Sequence, residues 1–264
     1  MASGWERERE ERARVSAPVT DWLVHELAPQ PGEIVLELAA GQGDVGFTVA
    51  PLLGDGGRLV MSDFSTAMLE IARRRGDALG LANVEFRELD AEALELENGA
   101  FDAVVCRWGY MLMPHPAVAL AETRRVLRPG GRLAFAVWSS ADRNPWISAA
   151  GRIMVAHRHM PRPEPGEPGM FVLADKDELR TLVEGAGFSD VQIDDVPIQS
   201  DYPDVEEYVR RSAEMGGMFS RAWAGAPAAD RDVMTDEIRE AFEPFAVDGG
   251  YALPGLATCV LARL

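Results

Sequence analysis

Between residues 33 and 138 the chain alternates short apolar runs with segments of helical period, and this rhythm restricts the fold more than any single motif. The runs "EIVLEL" (33–38), "RLVMS" (58–62), "VEFREL" (84–89), "FDAVVC" (101–106) and "GRLAFAVW" (131–138) are bounded by Gly, Pro, Asp or Asn and read as strands. Residues 45–53, 65–79 and 116–127 carry apolar side chains three and four apart, as in "TAMLEIARRRGDAL" and "AVALAETRRVL", and read as helices. Strands separated by helices cannot pair as hairpins, so they must lie parallel, with the helices covering both faces of one sheet. Ligands of such sheets bind outside the carboxyl ends of the strands, near the point where strand order reverses. The informative residues are therefore those just after each strand.

Beyond residue 138 the rhythm breaks. A helix and a Pro-rich loop occupy 139–175, a helix spans 176–186 up to Gly187, and a strand follows at 190–198. Two or three helices rich in Met and aromatics fill 201–245, before a last strand at 256–263. The expected architecture is a single α/β domain over 1–264, with a mostly parallel seven-stranded sheet. A helical segment at 1–30 precedes a cofactor-binding core at 31–138, and insertions at 139–175 and 200–250 form a substrate lid. Trp146, Met170, Phe171, Met218, Phe219 and Trp223 supply that lid's apolar area.

Charge narrows the partners. With 43 acidic against 26 basic side chains the formal charge is -17, which repels phosphate backbones and anionic lipid, so neither nucleic acid nor a membrane is expected as partner. No apolar run reaches the ~18 to 20 residues of a membrane span, and the charged start "WEREREERARVS" has no apolar signal region. Cys106 and Cys259 both sit in apolar strand-like runs and read as buried free thiols. A cytoplasmic protein is expected.

The first strand leads into "AAGQGDVG", whose "GQGDVG" satisfies the dinucleotide fingerprint G-x-G-x-x-G. Glycines there let a ligand approach the backbone, and the next helix offers its amides. Two acids argue against a pyrophosphate. Glu37, read as an ionised carboxylate, suits an amine-bearing ligand, and Asp44 repels phosphate from within the loop. After the second strand, Asp63 is placed to accept from two ribose hydroxyls, with Phe64 and Met68 able to flank an adenine; its alternative role is a helix cap with Ser65. After the third strand, Asp90 can accept from an exocyclic amine and the amide of Ala91 can donate to a ring nitrogen.

The series "VLELAAGQG", "SDFSTAMLEIARRR", "LDAEAL" and "FDAVVCRWGYMLMPHPAVALAETRRVLRPGGRLAFAVW" resembles the class I S-adenosylmethionine-dependent methyltransferases, in particular the small-molecule branch with the ubiquinone and menaquinone C-methyltransferases. The resemblance covers residues 33–138 and implies a Rossmann-like methyltransferase fold with S-adenosyl-L-methionine as cofactor. It places Glu37 near the cofactor's amino group, with Ala39, Gly41, Gln42 and Gly43 around the turn. Asp63 then holds the ribose, Phe64 and Met68 the base, Asp90 and Ala91 the adenine edge, and Cys106 and Arg107 the methionine portion. Where the family often has Asp and Gly, this chain has Glu37 and Ala39, and Ala39 implies a backbone of negative φ.

Two further readings stay open from the sequence: a nicotinamide-dependent oxidoreductase, supported by "GQGDVG" with Asp63 twenty residues beyond Gly43, and a methyltransferase-like protein that binds cofactor without transferring methyl. In-line methyl transfer needs alignment and exclusion of water more than a base. For an acceptor of high pKa, His115 is the candidate base, the alternative being a solvent-exposed residue of a helix's first turn. Arg107 is expected to orient the cofactor carboxylate or an acidic acceptor, beside Trp108. His157 and His159, two apart, make a poor metal pair, and no metal is expected. The expected acceptor is a small aromatic or polyketide-like molecule, and a homodimer is the assembly to test for.

Overall fold

The computed structural model describes residues 9–162, 164, 166–214 and 217–264. Residues 1–8 of the expected N-terminal segment lie outside them. Strands β1 (Ile34–Leu38), β2 (Arg58–Asp63), β3 (Val84–Glu88), β4 (Phe101–Arg107) and β5 (Leu127–Trp138) fall within a few residues of the expected runs. β6 (Ser189–Tyr202), β7 (Ala246–Val247) and β8 (Gly250–Arg263) complete the sheet, whose strand order is β3-β2-β1-β4-β5-β8-β6, with β7 paired to β8. Seven strands make the continuous path, and the two-residue β7 is too short to leave a pattern in sequence. The pairs among β1 to β5 are parallel and β8 runs antiparallel to β5. The sheet is mostly parallel with helices on both sides, as the alternation requires. Strand order reverses between β1 and β4, and their carboxyl ends bracket the expected site.

Helix α1 spans Arg9–Leu27. Between β1 and β2 the helix expected over 45–53 is one α-turn, α2 (Gly46–Val49), followed by a 3-10 turn over Ala50–Leu53. Pro51, which has no amide hydrogen to donate, accompanies the change. α3 (Thr66–Leu79) starts where Ser65 Oγ accepts from the Met68 amide and stops at Gly80, in left-handed conformation. It buries Leu69, Ala72 and Gly76 on one face. α4 is Pro116–Val126. Val35, Leu36, Val104, Val105 and Leu133 are wholly buried, consistent with central strands covered on both faces.

The chain forms two compact units. One comprises Ala17–Ser139, Gly166–Val196 and Ala257–Leu264 and holds β1 to β5 with α2 to α4. It also contains α6 (Lys176–Gly185), capped by Asp175 through the amides of Asp177 and Glu178. The other includes Ser140–Pro165 and Pro197–Leu256, with helices α5 (Pro145–Ala156), α7 (Val205–Glu214), α8 (Gly217–Gly225) and α9 (Ala228–Phe242). Its interior gathers Ala149, Ala150, Tyr208, Ile238, Phe242 and Leu253, with the Tyr208 and Phe242 rings edge to face at 4.8 Å. Of the six expected lid residues, Met170 and Phe171 belong to the sheet unit and the other four to the helical one.

Candidate active site

β1 ends at Leu38, and the chain then turns through Ala39 (φ +51°), Gly41 (φ +55°) and Gly43 (φ +86°). The negative φ expected for Ala39 is therefore wrong. Hydrogen bonds to β2 fix the turn: the Ala40 amide donates to the Ser62 carbonyl at 2.9 Å and the Gly41 amide to Asp63 Oδ2 at 2.8 Å. Holding an alanine left-handed costs about 1–2 kcal/mol, which these bonds offset. The Ala39 methyl lies 2.7 Å from where a Cβ on Gly109 would stand, so the chain leaving β4 can pass over the turn only with glycine at 109.

Glu37 lies inside this arrangement. Its side chain is 2% exposed, and its Oε2 is buried with no hydrogen-bond partner. Ser62 Oγ donates to the Glu37 carbonyl at 2.8 Å and so ties β1 to β2 at this residue. A Cβ on Gly46 would collide with Glu37 Oε2 and Leu59 Cδ2, so glycine at the start of α2 makes room for the carboxyl. Burial pushes the Glu37 carboxyl up to about 8, against the pull of the Arg107 guanidinium and the Gly46 amide. The ionised carboxylate expected from the sequence is thus corrected: at neutral pH this carboxyl is mostly protonated until a cationic partner arrives.

Asp44, expected to repel phosphate, is instead the anion between two arginines. Its Oδ1 accepts from Arg75 at 2.9 Å and its Oδ2 from Arg107 at 3.1 Å. Arg107 also donates to Thr20 Oγ1 at 2.6 Å and lies over the Trp108 ring, 4.9 Å from its centroid. Arg75 donates to the Gln42 carbonyl and lies over Phe47. Burial pulls the Arg107 guanidinium below its ordinary range, while Asp44 and then Glu37 hold it up. Trp108 has φ +59° and stacks on Trp138 at 4.2 Å. Arg107, expected to orient a carboxylate of the cofactor or the acceptor, is paired here with a largely buried carboxylate of the protein itself.

Asp63 serves the protein itself with both oxygens: Oδ2 accepts from Gly41 and Oδ1 from the Ser65 amide at 2.8 Å. Each oxygen keeps a lone pair for a further donor. Phe64, next in the chain, is 80% exposed, and Met68 is half-buried in the first turn of α3. Asp90 is exposed and accepts from the Glu92 amide at 2.9 Å, with Ala91 between them. Cys106 is buried and free, its thiol pushed up to about 12 by burial, and is no nucleophile. His115 precedes α4; its ring is exposed and its Nδ1 pairs with Glu92 Oε2 at 2.9 Å. His157 and His159 pair separately with Glu237 and Asp230.

The structure thus brings together Glu37, Asp44, Asp63, Cys106 and Arg107 near the ends of β1, β2 and β4, close enough to act on one another's charge. Sequence reasoning missed Thr20, Ser62, Arg75 and Trp138. Arg75 had a signal, being a cation on the helix that follows the acid-bearing loop, whereas Thr20 had none. A surface cleft lined by Arg58, Asn83 and Glu85 opens at the amino ends of β2 and β3, the opposite ends from these residues.

A family model described as a methyltransferase domain matches residues 35–131, from the first strand through the "RPGG" turn. The chain is similar to the ubiquinone/menaquinone biosynthesis C-methyltransferase UbiE of Coxiella burnetii, 31% identical over 165 residues, which cover 62% of this chain and 63% of that protein. The same enzyme of Brucella anthropi is 39% identical over 115 residues, 42% of this chain and 44% of that protein. The chain thus spans under two thirds of the length of these relatives. Among solved structures, a methyltransferase from Bacillus halodurans superposes with a TM-score of 0.62 at 22% identity, covering 92% of this chain and 97% of the other. The cyclase SpnF superposes at 0.56 and 22%, covering 93% and 79%. These likenesses establish the Rossmann-like methyltransferase fold. Among the described residues no helix is long and apolar enough to cross a membrane.

Proposed function

We propose that the protein is a class I S-adenosylmethionine-dependent methyltransferase acting on a small-molecule acceptor. The observation that carries this reading is the unpartnered Glu37 Oε2, fully buried beside the turn after β1. A buried acceptor without a donor costs about 1–3 kcal/mol, and a ligand ammonium supplies both the donor and the charge that ionises the group. A pyrophosphate supplies no donor for that oxygen and finds no such fit. Bound there, the cofactor supplies a methyl group on a cationic sulfur. In this reading Glu37 holds the ammonium, Asp63 uses its remaining lone pairs for the ribose, and Phe64 and Met68 cover the base. Asp90 and Ala91 read the base edge, and the backbone at Cys106 and Arg107 faces the methionine portion.

The chain's own part in the reaction is alignment and exclusion of water. A base is needed only for an acceptor of high pKa, and the His115–Glu92 pair is the candidate for that case. The relatives' printed function and the aromatic content of the helical unit support a flat aromatic or polyketide-like acceptor. In that unit Phe219 and Trp223 stack at 5.7 Å and Met218 is half exposed. Two buried thiols and the charge of -17 support a cytoplasmic setting.

Titration calorimetry separates the cofactor classes. S-Adenosylhomocysteine should bind and NADH should not, and the converse result would overturn the reading. Since the fold also carries a cyclase, methyl incorporation into a product is the second measurement.

A further inference from the structure

The second half of helix α1 buries one stripe of side chains, Val19, Thr20, Leu23 and Leu27, spaced three and four apart. Thr20 is the polar member of that stripe, where valine has the same shape and brings no hydroxyl to satisfy. Docking of the helix does not depend on it. Val19, Leu23 and Leu27 are wholly buried, and Arg132 of β5 donates to the Leu27 carbonyl and, at 2.9 Å, to the Ala28 carbonyl. The Thr20 hydroxyl instead accepts from Arg107 Nη1 at 2.6 Å, while Nη2 of the same guanidinium donates to Asp44 at 3.1 Å. Two of its nitrogens are thus held from two different elements, over the Trp108 ring.

The anions around the guanidinium decide what that hold does. Asp44 is the first anion acting on Arg107 and Glu37 the second, with Arg75 repelling it. Glu37 in turn is acted on by Arg107, Asp44, Asp63 and the Gly46 amide, and itself acts on the Cys106 thiol. Its Oε2 has no hydrogen-bond partner, so a guanidinium nitrogen released from another acceptor finds one there. We propose that Thr20 is a positioning residue of the cofactor site: its hydroxyl keeps Arg107 on Asp44 and thereby keeps the Glu37 carboxyl open for the ligand ammonium. This rests on the methyltransferase reading and goes beyond it, because it makes helix α1 a working part of the site.

Calorimetry of S-adenosylhomocysteine binding to the full chain at pH 7, in buffers of different ionisation enthalpy, reads affinity and protons released together. The wild type should release close to one proton. Thr20→Val should bind about 10-fold more weakly, the loss expected for one hydrogen bond to a charged group, and release close to none, because Arg107 has already ionised Glu37. Thr20→Ala should show the same pair of changes, so the proposal does not depend on one variant folding. Thr20→Ser keeps the hydroxyl and should bind within about twofold of the wild type. Arg107→Met added to Thr20→Val should restore both the affinity and the proton. Weaker binding with wild-type proton release would mean a merely structural residue, and unchanged affinity in Thr20→Val would mean no part in the site. Thr20→Ser as weak as Thr20→Val would mean that the hydroxyl is not what acts, and a double variant as weak as the single one that Thr20 does not act through Arg107. Each of these overturns the proposal. A wild-type protein that does not bind S-adenosylhomocysteine overturns the methyltransferase reading itself.

Discussion

Glu37→Gln should give a protein that is more stable than the wild type at pH 7 and that no longer binds S-adenosylhomocysteine measurably. The stability gain follows from the raised carboxyl. Glu37 titrates near 8 in the folded chain and from 4.5 in the unfolded one. Below about pH 4.5 both states hold the proton and the group contributes no pH dependence. Between 4.5 and 8 the unfolded chain has released a proton that the folded chain retains, so wild-type stability falls as pH rises, and above 8 it levels off. Glutamine does not titrate. At pH 7 the difference is about 3 kcal/mol, or about 6 °C in Tm for a chain of this size, and it should vanish toward pH 4.5. Thermal melts of both proteins from pH 4.5 to 9 measure this, and parallel profiles would remove the claim that Glu37 is buried protonated.

The affinity loss has the same origin. An ammonium placed against Glu37 draws its titration down, so ligand binding at pH 7 should release close to one proton, read from calorimetry in buffers of different ionisation enthalpy. Glutamine can accept a hydrogen bond from the ammonium but supplies no charge, and a decrease of about 100-fold or more is expected. A variant that is stabilised yet binds normally would separate the two effects and leave Glu37 as strain without a role.

The β-α alternation and the turns at its ends were legible because each depends on local chemistry. β1 and β4 show as continuous apolar runs because both faces are covered, and α3 shows its cap, its buried stripe and its terminal Gly80 in order. Pro197 and Pro254 fall inside β6 and β8 and helped to conceal how far those strands run. At the site, the identities of Glu37, Asp63 and Arg107 could be read, but their protonation and partners could not. Whether Glu37 is ionised depends on its burial, and whether Ala39 is left-handed depends on bonds to Ser62 and Asp63 on another strand. Arg107 ends on Thr20, eighty-seven residues away, a pairing with no local signature.

Asp44→Ala should have the second large effect, and through charge rather than shape. Asp44 sits between Arg75 and Arg107, with Asp44 12% and Arg107 11% exposed, so its removal leaves a guanidinium buried without its closest anion. Breaking a buried pair from one side costs about 3 kcal/mol, or about 6 °C in Tm here. Arg107→Met added to Asp44→Ala should recover most of that, because no charge is then left uncompensated at the β4 end; Arg75 remains stacked over Phe47. The function should not recover in the single variant even where it folds. With Asp44 gone, Glu37 still acts on Arg107, and the guanidinium would ionise and occupy the carboxyl that the ligand ammonium requires. S-Adenosylhomocysteine affinity should then fall about 10-fold or more in Asp44→Ala and return toward the wild-type value in the double variant. If the double variant stays as weak as the single one, Arg107 does not compete for Glu37, and Asp44 acts on the ligand in another way.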